Sequence, residues 1–285
     1  MGLASGLPGV ETAPIVWGIG QQTMGSQQRP GSSEKLLRLF VKFADRSRPW
    51  TVDELSRDLD LAQSTTYRYL KSLADAGMVV AVSAGSYILG PTVIMLDRQM
   101  RLSDPLILGA EATLDRLHDT LGIPSVVLVC RLFRGSVMCV DSRQIGEPNI
   151  KVSYARGRPL PLYRGAVSKV ILANMQLRAV RGFFDADPQA FADAGIGTDW
   201  TEIKRYLRGV RRAEVLSTSS EVDHEVRGIA SPIVDANDQV IGSLGFVAPN
   251  GDVDEAQQER LKKIIAASAK EICAEIRRRD QPDKT

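Results

Sequence analysis

The sequence predicts an α+β protein with two domains, and three observations lead to that fold class. The chain has 285 residues, which exceeds the length of one typical domain. The stretch from Thr51 to Leu89 has the sequence pattern of two short helices followed by a hairpin. This is the pattern of a winged helix-turn-helix. After about residue 104 the order becomes helix, strands, helices, strands and helix, which indicates helices packed on an antiparallel sheet.

Composition excludes several classes of protein. The formal net charge is only +2, so any basic surface must be local. The three cysteines and two histidines lack the spacing of a zinc site or a disulfide framework, so we expect no metal, no cofactor and buried reduced thiols. No run of about 20 apolar residues predicts a membrane span. Together these features predict a cytoplasmic protein.

Both ends of the chain are expected to lack regular structure. Residues 1–31 are rich in Gly, Pro, Gln and Ser, and they have neither a basic start nor a long apolar core. This composition predicts a disordered leader rather than a signal peptide. Residues 281–285 read as a short polar tail.

The first domain, residues 32–90, opens with a helix that Ser32 and Ser33 can cap and that extends to about Ala44. Apolar residues recur along it at helical spacing and predict a buried stripe: Leu36, Leu37, Phe40, Val41 and Ala44. Thr51 and Glu54 then form a capping box, which opens a second helix that ends near Leu59.

A third helix runs from about Gln63 to Ala76, and Gly77 supplies the left-handed residue that ends it. Its expected inward positions are Tyr67, Leu70, Leu73 and Ala74. The strands Met78–Val82 and Ser86–Leu89 form the hairpin, which is the wing. Residues 91–103 continue as an amphipathic linker helix.

The second domain, residues 104–280, begins with a helix that Asp104 and Pro105 start and Gly122 ends. Runs rich in β-formers predict strands, in chain order, at Ser125–Phe133, Ser136–Ser142, Ile150–Tyr154, Glu214–Ser217, Val226–Val234 and Val240–Val247. Helical periodicity predicts the remaining helices at Ala166–Met175, Arg178–Phe184, Trp200–Ala213 and Asp254–Arg279.

The front of the third helix carries the side chains expected of a helix that enters the major groove of double-stranded DNA. Gln can pair with adenine and Arg with guanine, while Ser and Thr reach phosphates or bases. The predicted DNA-contacting residues are Arg48, Gln63, Ser64, Thr65, Thr66, Tyr67, Arg68 and Lys71. An ordinary helical bundle with a polar face is the alternative. The glycine stop and the hairpin that follow the helix favour the DNA-binding interpretation.

The sequence offers little support for an enzyme. It lacks the nucleophile-elbow, P-loop and dinucleotide-binding motifs. One dense titratable cluster spans residues 221–227, where His224 beside acidic residues could act as a general base. A polar loop between two strands explains the same residues more simply. We therefore predict no catalytic residues.

Several stretches resemble the IclR family of bacterial transcriptional regulators. LAQSTTYRYLKSLADAGMV followed by YILGP resembles that family's winged helix-turn-helix. GRPLPLYRGAVSKVILA (Gly157–Ala173) and RGIASPIVDANDQVIGSLGFVAP (Arg227–Pro249) fall where the family carries its most recognisable second-domain motifs. The resemblance covers about residues 32–280. It implies a GAF-like effector domain, a homodimer or homotetramer, and control of operator binding by a small organic effector.

Departures from the family pattern suggest what kind of effector binds. Polar residues common in the family are replaced here by Thr218, Gly228, Gly245 and Val247. The resemblance therefore implies a roomier, more apolar pocket for a larger, aromatic ligand. The predicted lining residues are Tyr154, Ala166, Val167, Thr218, Val226, Gly228, Gly245 and Val247. The same residues could instead be ordinary core.

A second function remains open at this point. The second domain could be a GAF-like sensor or an enzyme, with the winged helix serving protein contacts only. Retardation of promoter DNA with a steep salt dependence would separate a regulator from this alternative.

Overall fold

The computed structural model describes residues 31–83, 85–148 and 153–280. The predicted tail lies outside the described residues, as do the predicted leader up to residue 30, Ala84 of the wing turn and residues 150–152 of the predicted strand Ile150–Tyr154. The chain divides into two compact units, with the boundary between Leu102 and Ser103.

The first unit has the predicted winged helix-turn-helix architecture. Its helices are α1 (Ser32–Val41, continued by a 3₁₀ turn at Lys42–Ala44), α2 (Val52–Asp58), α3 (Gln63–Asp75) and α4 (Thr92–Ser103). Its strands are β1 (Trp50–Thr51), β2 (Val79–Ser83) and β3 (Ser86–Leu89), which form an antiparallel sheet in the order β1-β3-β2. The strand β1 was not predicted.

Two helix ends follow the local signals in the sequence. The capping box is present, because the Glu54 amide donates to Thr51 Oγ1 at 3.2 Å and the Thr51 amide donates to Glu54 Oε2 at 3.1 Å. Gly77 has a φ of +69°, and the Met78 amide donates to the Leu73 carbonyl at 2.8 Å. This is the bond pattern of a glycine-terminated helix, and both predictions are confirmed.

The predicted inward faces of α1 and α3 were partly wrong. Leu39 and Phe43 are the buried residues of the first helix and its 3₁₀ turn, whereas Leu37 and Val41 are exposed. In α3 the predicted positions Leu70 and Leu73 are buried, but Tyr67 and Ala74 are exposed. Thr66 and Tyr69 are buried in their place. The small core of this unit is completed by Trp50, Leu55 and Val79.

The second unit contains one six-stranded antiparallel sheet. The strands are β4 (Ser125–Phe133), β5 (Ser136–Ile145), β6 (Pro159–Pro161), β7 (Leu216–Ser219), β8 (Val226–Val234) and β9 (Val240–Pro249), in the order β6-β5-β4-β9-β8-β7. The helices are α5 (Pro105–Thr120), α6 (Ala166–Asn174), α7 (Leu177–Ala186), α8 (Pro188–Asp193), α9 (Trp200–Ala213) and α10 (Glu255–Asp280).

Helices cover both faces of this sheet, and successive residues of a strand point alternately into the cores on the two faces. In β4, Val126 and Leu128 join the core beneath α6 and α9, whereas Val127 and Val129 join the core beneath α5 and α10. The predicted α+β class is confirmed. The elements β6 and α8 were not predicted, and β7 begins later than expected because Glu214 ends α9 in the left-handed conformation.

The three cysteines are buried and form no disulfide. In the described ranges, no helix is long and apolar enough to cross a bilayer.

Candidate nucleic-acid interface and ligand site

The front of α3 presents a row of exposed polar side chains. Gln63, Ser64, Arg68 and Lys71 are exposed, and Tyr67 is 59% exposed. Thr65 is half-buried. Gln63 is held by Asp53, whose carboxylate accepts from its Nε2 at 2.7 Å. Seven of the eight predicted DNA-contacting residues, counting Arg48, are therefore accessible to a partner.

Thr66 is the exception, and its prediction as a DNA contact was wrong. It is fully buried, and its hydroxyl accepts from Ser56 Oγ at 2.9 Å and donates to the Ala62 carbonyl at 3.3 Å. These bonds satisfy a buried polar group and tie α3 to α2. The hydroxyl thus orients the helix and does not face a ligand.

Arg48 lies beside the start of α2. Its Nη1 is 2.8 Å from Glu54 Oε1, and Arg46 pairs with the same carboxylate. Arg46, the Thr51 amide and Arg48 hold the pKa of Glu54 well below its usual range. The Arg48 side chain is still 64% exposed. Because an exposed ion pair contributes little free energy, a DNA phosphate could replace Glu54 as its partner.

The end of α3 is bonded directly to the start of α4. Thr92 Oγ1 donates to the Ala76 carbonyl at 2.9 Å, and the Thr92 amide donates to the Gly77 carbonyl at 3.2 Å. The Gly90 amide donates to the Met78 carbonyl at 2.8 Å. The bond to Ala76 satisfies a backbone carbonyl left over at the end of α3, and the other two bonds tie the start of α4 to the residues that follow α3.

Helix α4 exposes most of its apolar side chains. None of its residues is buried, and Ile94 is 74% exposed. The other exposed apolar residues of the helix are Met95, Leu96, Met100 and Leu102. Met95 and Leu102 are seven residues apart and so lie on the same side of the helix.

The eight predicted effector residues lie together around the N-terminal end of α6. In the sheet, Gly228 pairs with both Thr218 and Val247, while Gly245 pairs with Leu128. A Cβ at Gly228 would lie 3.5 Å from the Ala166 Cβ, and Val226, Val247 and Tyr154 belong to the same core. Residues distant in sequence are thus brought to one place.

The expected extra room is absent at one of these positions. A Cβ at Gly245 would lie 2.4 Å from Val167 Cγ1 and 3.4 Å from Leu128 Cγ. The Val167 side chain therefore fills the space that a larger residue at position 245 would occupy. A ligand that reached the sheet at this point would have to displace Val167.

An ion pair between a buried lysine and a partly exposed glutamate borders the predicted effector site. Lys169 is 3% exposed, and its Nζ donates to Glu221 Oε1 at 2.7 Å and to the Ala194 carbonyl at 2.8 Å. Glu221 Oε2 accepts from the Gly165 amide at 2.9 Å, just before α6. One carboxylate thus fixes both the start of α6 and its only lysine. Neither residue was among the predicted site residues.

Two further residues, Asp223 and Tyr154, lie on the same side of the predicted effector site. Asp223 accepts from the amide and the hydroxyl of Ser153 at 2.8 and 2.5 Å. The adjacent Tyr154 ring packs at Gly165, where a Cβ would lie 2.6 Å from the Tyr154 hydroxyl oxygen. Burial, with smaller contributions from Cys130, Asp223 and Glu221, raises the pKa of Tyr154. Tyr154 is therefore a neutral hydroxyl at the edge of the site.

Two family models match the chain. One, described as the IclR helix-turn-helix domain, covers residues 32–83. The other, described as the C-terminal domain of bacterial transcriptional regulator IclR, covers residues 103–274. This chain belongs to the IclR family. The resemblance seen in the sequence is confirmed.

Known IclR-type proteins resemble the chain along most of its length. The Pca regulon regulatory protein of Pseudomonas putida is 26% identical over 243 residues, which are 84% of this chain and 82% of that protein. An IclR regulator structure from Alicyclobacillus acidocaldarius aligns with a TM-score of 0.72 at 21% identity and covers 87% of this chain and all of that one. An IclR homologue from Microbacterium hydrocarbonoxydans, in complex with 4-hydroxybenzoate, aligns with a TM-score of 0.68 at 19% identity, covering 88% of this chain and all of that one.

The family membership also decides the question of catalysis. The matched families and relatives are transcriptional regulators and not enzymes. Within this IclR-family fold, two of the three acidic residues of the 221–227 cluster have other partners, since Glu221 pairs with Lys169 and Asp223 with Ser153, and the third, Glu225, is exposed at the surface. His224 is exposed at the surface. The polar-loop interpretation of this cluster therefore fits the structure.

Proposed function

We propose that this IclR-family chain is a cytoplasmic, effector-responsive regulator that binds operator DNA as a homodimer or a homotetramer built from such dimers. The observation that carries the proposal is the exposed polar front of α3, which is bonded through Thr92 to α4. The DNA-contacting set is Arg48, Gln63, Ser64, Thr65, Tyr67, Arg68 and Lys71. Thr66 is left out because it is buried.

Base recognition is assigned to Gln63 and Arg68, and phosphate contact to Lys71. Arg68→Ala should cost about 1–3 kcal/mol on the preferred sequence and reduce discrimination between sequences. Lys71→Ala should weaken binding on all sequences and lower the slope of log affinity against log salt by about 1. Lys263→Ala on α10 removes the same charge elsewhere and serves as the control.

The assay is fluorescence anisotropy with duplex DNA taken from beside the protein's own gene and with an unrelated duplex. Arg68→Ala should bring the two affinities together, whereas Lys71→Ala should keep their ratio. If Arg68→Ala left sequence discrimination intact, the assignment of α3 as the reading helix would be wrong. If the wild-type chain failed to bind either duplex, the winged helix would serve protein contacts.

For the effector we propose a small aromatic carboxylic acid bound at the N-terminal end of α6. Apolar walls from Ala166, Val167 and Val247 suit a ring, and Thr218 and Tyr154 supply hydroxyl groups. The complex of the Microbacterium homologue with 4-hydroxybenzoate supports this choice of ligand class. Val167 is the side chain that would rotate to admit the ring, because it fills the space beside Gly245.

Calorimetric titration with 4-hydroxybenzoate, benzoate, glyoxylate and pyruvate tests the ligand class. The aromatic acids should bind and the two keto acids should not. Gly228→Val should abolish effector binding by filling the space near Ala166 and Thr218, while DNA binding without effector persists. Tight binding of glyoxylate together with no binding of either aromatic acid would refute the ligand assignment.

For assembly, we propose that the exposed apolar side of α4 packs against a second copy of the chain. Two copies of the helix would cover Met95 and Leu102, which monomeric proteins rarely expose together with three more apolar neighbours. Two recognition helices can then read two half-sites. Met95→Glu with Leu102→Glu should yield monomers in sedimentation analysis and weaken DNA binding. A dimer of unchanged stability would refute this interface.

A further inference from the structure

The outer side of α9 carries the densest group of positive charge in the described part of the chain. Of its residues Trp200–Ala213, one is acidic and five are basic. The basic residues are Lys204, Arg205, Arg208, Arg211 and Arg212. With 3.6 residues per turn, all five point within an arc of about 120°, and the buried residues Ile203, Leu207 and Val210 lie on the opposite side. We call these five residues the α9 cationic stripe.

No ion pair joins a residue of the α9 cationic stripe to a described carboxylate. Other clusters of arginine in this chain are paired. At the end of α10, Arg278 and Arg279 both pair with Glu275, and Arg277 pairs with Asp238. The segments outside the described residues contain only two acidic residues, Glu11 and Asp283. The described carboxylates therefore leave the stripe without a direct ion-pair partner.

Two of the five cations already interact with other groups of this chain. Arg211 donates from Nη2 to the Met175 carbonyl at 2.8 Å and from Nε to the Ala173 carbonyl, and so caps the end of α6. Arg205 lies near Glu202 and Asp199, whose pKa values are lowered mainly by backbone hydrogen bonds and to a smaller extent by Arg205. Lys204, Arg208 and Arg212 remain without such a role.

These three residues are spaced four apart, so each pair of neighbours is a like-charge pair that destabilises an isolated helix. Arg208 and Arg212 are exposed and Lys204 is half-buried. Lys204, Arg208 and Arg211 also line a cavity of about 100 Å³ together with Leu177 and Leu207. Charge that is concentrated in this way, with no ion-pair partner among the described residues, indicates an anionic partner outside the chain.

We propose that the α9 cationic stripe docks on the phosphate backbone of the duplex to which the regulator is bound. The stripe extends about 12 Å from Lys204 to Arg212. Lys204, Arg208 and Arg212, which have no other role, lie about 6 Å apart along the helix axis. Because one DNA strand carries a phosphate per about 3.4 Å of duplex axis, each of the three can meet a separate phosphate. The second unit then adds a sequence-independent contact to the base recognition by α3. This inference rests on the proposed function, because the duplex must already be the chain's partner.

The test uses the full-length chain and three sets of substitutions. The triple variant K204Q/R208Q/R212Q removes the three stripe residues that have no other role in the described part of the chain. The control R277Q/R278Q/R279Q removes the same three charges from the end of α10, so both variants have the same net charge. R68A/K71A disables the front of α3. Circular dichroism confirms that each variant is folded before DNA affinity is measured across a range of salt concentrations.

In the stripe variant, the slope of log affinity against log salt should fall by about 2–3, since each phosphate contact contributes about 0.9. The α10 control should keep the wild-type slope. Discrimination between the promoter duplex and an unrelated duplex should survive in the stripe variant and be lost in R68A/K71A. If the stripe variant and the control show equal slopes, the proposal is overturned, and an acidic protein surface becomes the partner to seek.

The two proposals can fail separately. A reduced salt slope in the stripe variant, together with unchanged DNA affinity and sequence discrimination in R68A/K71A, would support DNA docking by α9 and refute DNA reading by α3. Loss of binding in R68A/K71A with a wild-type slope in the stripe variant would support the proposed function and refute the stripe.

Discussion

Replacing Gly90 with alanine should loosen the connection between α3 and α4. A Cβ at this position would lie 2.2 Å from the Gly77 carbonyl oxygen and 2.9 Å from its carbonyl carbon. Both are backbone atoms, so no side-chain rotation can relieve the overlap. The backbone around Gly90 would have to move outward by about 1 Å to restore van der Waals contact.

The expected cost follows from the bonds that such a movement would break. They are the bond from the Gly90 amide to Met78 and the two bonds from Thr92 to Gly77 and Ala76. At about 1 kcal/mol each, the loss is about 3 kcal/mol. Because whole domains are stable by about 5–15 kcal/mol, this is a large fraction of the stability of a unit with so small a core.

Urea unfolding followed by tryptophan fluorescence can measure this loss. Trp50 is buried in the first unit, and substituting Trp17 and Trp200 with phenylalanine leaves it as the reporter. Thr92→Val removes only the hydroxyl bond and should cost about 1 kcal/mol. Gly209→Ala, which has open space around it in the second unit, should leave the Trp50 transition unchanged. A cost below about 1 kcal/mol for Gly90→Ala would refute the reasoning.

Three further outcomes are expected. Acid titration should destabilise the first unit, because Arg46, the Thr51 amide and Arg48 depress the folded-state pKa of Glu54. The stabilisation that ionised Glu54 contributes is therefore present above the unfolded-state pKa of about 4.3 and is lost as the pH falls toward the folded-state pKa. The free energy of unfolding of Glu54→Gln should depend less on pH. Lys169→Met should destabilise the second unit by about 1.5–3 kcal/mol in chemical denaturation, because the hydrogen bonds from Lys169 to Glu221 and to the Ala194 carbonyl are lost. Gly209→Ala should raise the melting temperature of the second unit, with a gain of about 0.5–1 kcal/mol from the exposed position on α9.

Local signals explain why much of the first unit could be predicted. A capping box and a glycine stop each depend on residues within one or two helical turns, so the bounds of α2 and α3 followed from the sequence. The buried side of α1 did not follow, because LLRLFVKF is apolar at nearly every position and allows more than one stripe. Contacts with the rest of the core select Leu39 and Phe43.

Side-chain chemistry alone also misled the choice of Thr66 as a DNA contact. A threonine hydroxyl can bond to bases, to phosphates or to another buried hydroxyl, and the residue type does not tell these apart. Only the crossing of α2 over α3 brings Ser56 to 2.9 Å from Thr66. The pairing of Lys169 with Glu221 was missed for a related reason, since the two residues are 52 positions apart in the chain.

One strand of the second unit connects the proposed effector site to the residue that joins α4 and α5. The strand β4 passes beneath the site, where Leu128 pairs with Gly245 and Val126 pairs with Val247. Three residues beyond Leu128, Arg131 pairs with the buried Asp104 at 2.6 Å. Asp104 also caps α5 by accepting from the Leu106 and Ile107 amides.

A ligand that displaces Val167 from its place beside Gly245 and Leu128 would therefore act on the strand that holds Asp104, and Asp104 directly follows the last residue of α4. At the other end of α4, Thr92 is bonded to the end of α3. The size of the response is limited by how much more tightly the effector binds one arrangement of these elements than the other.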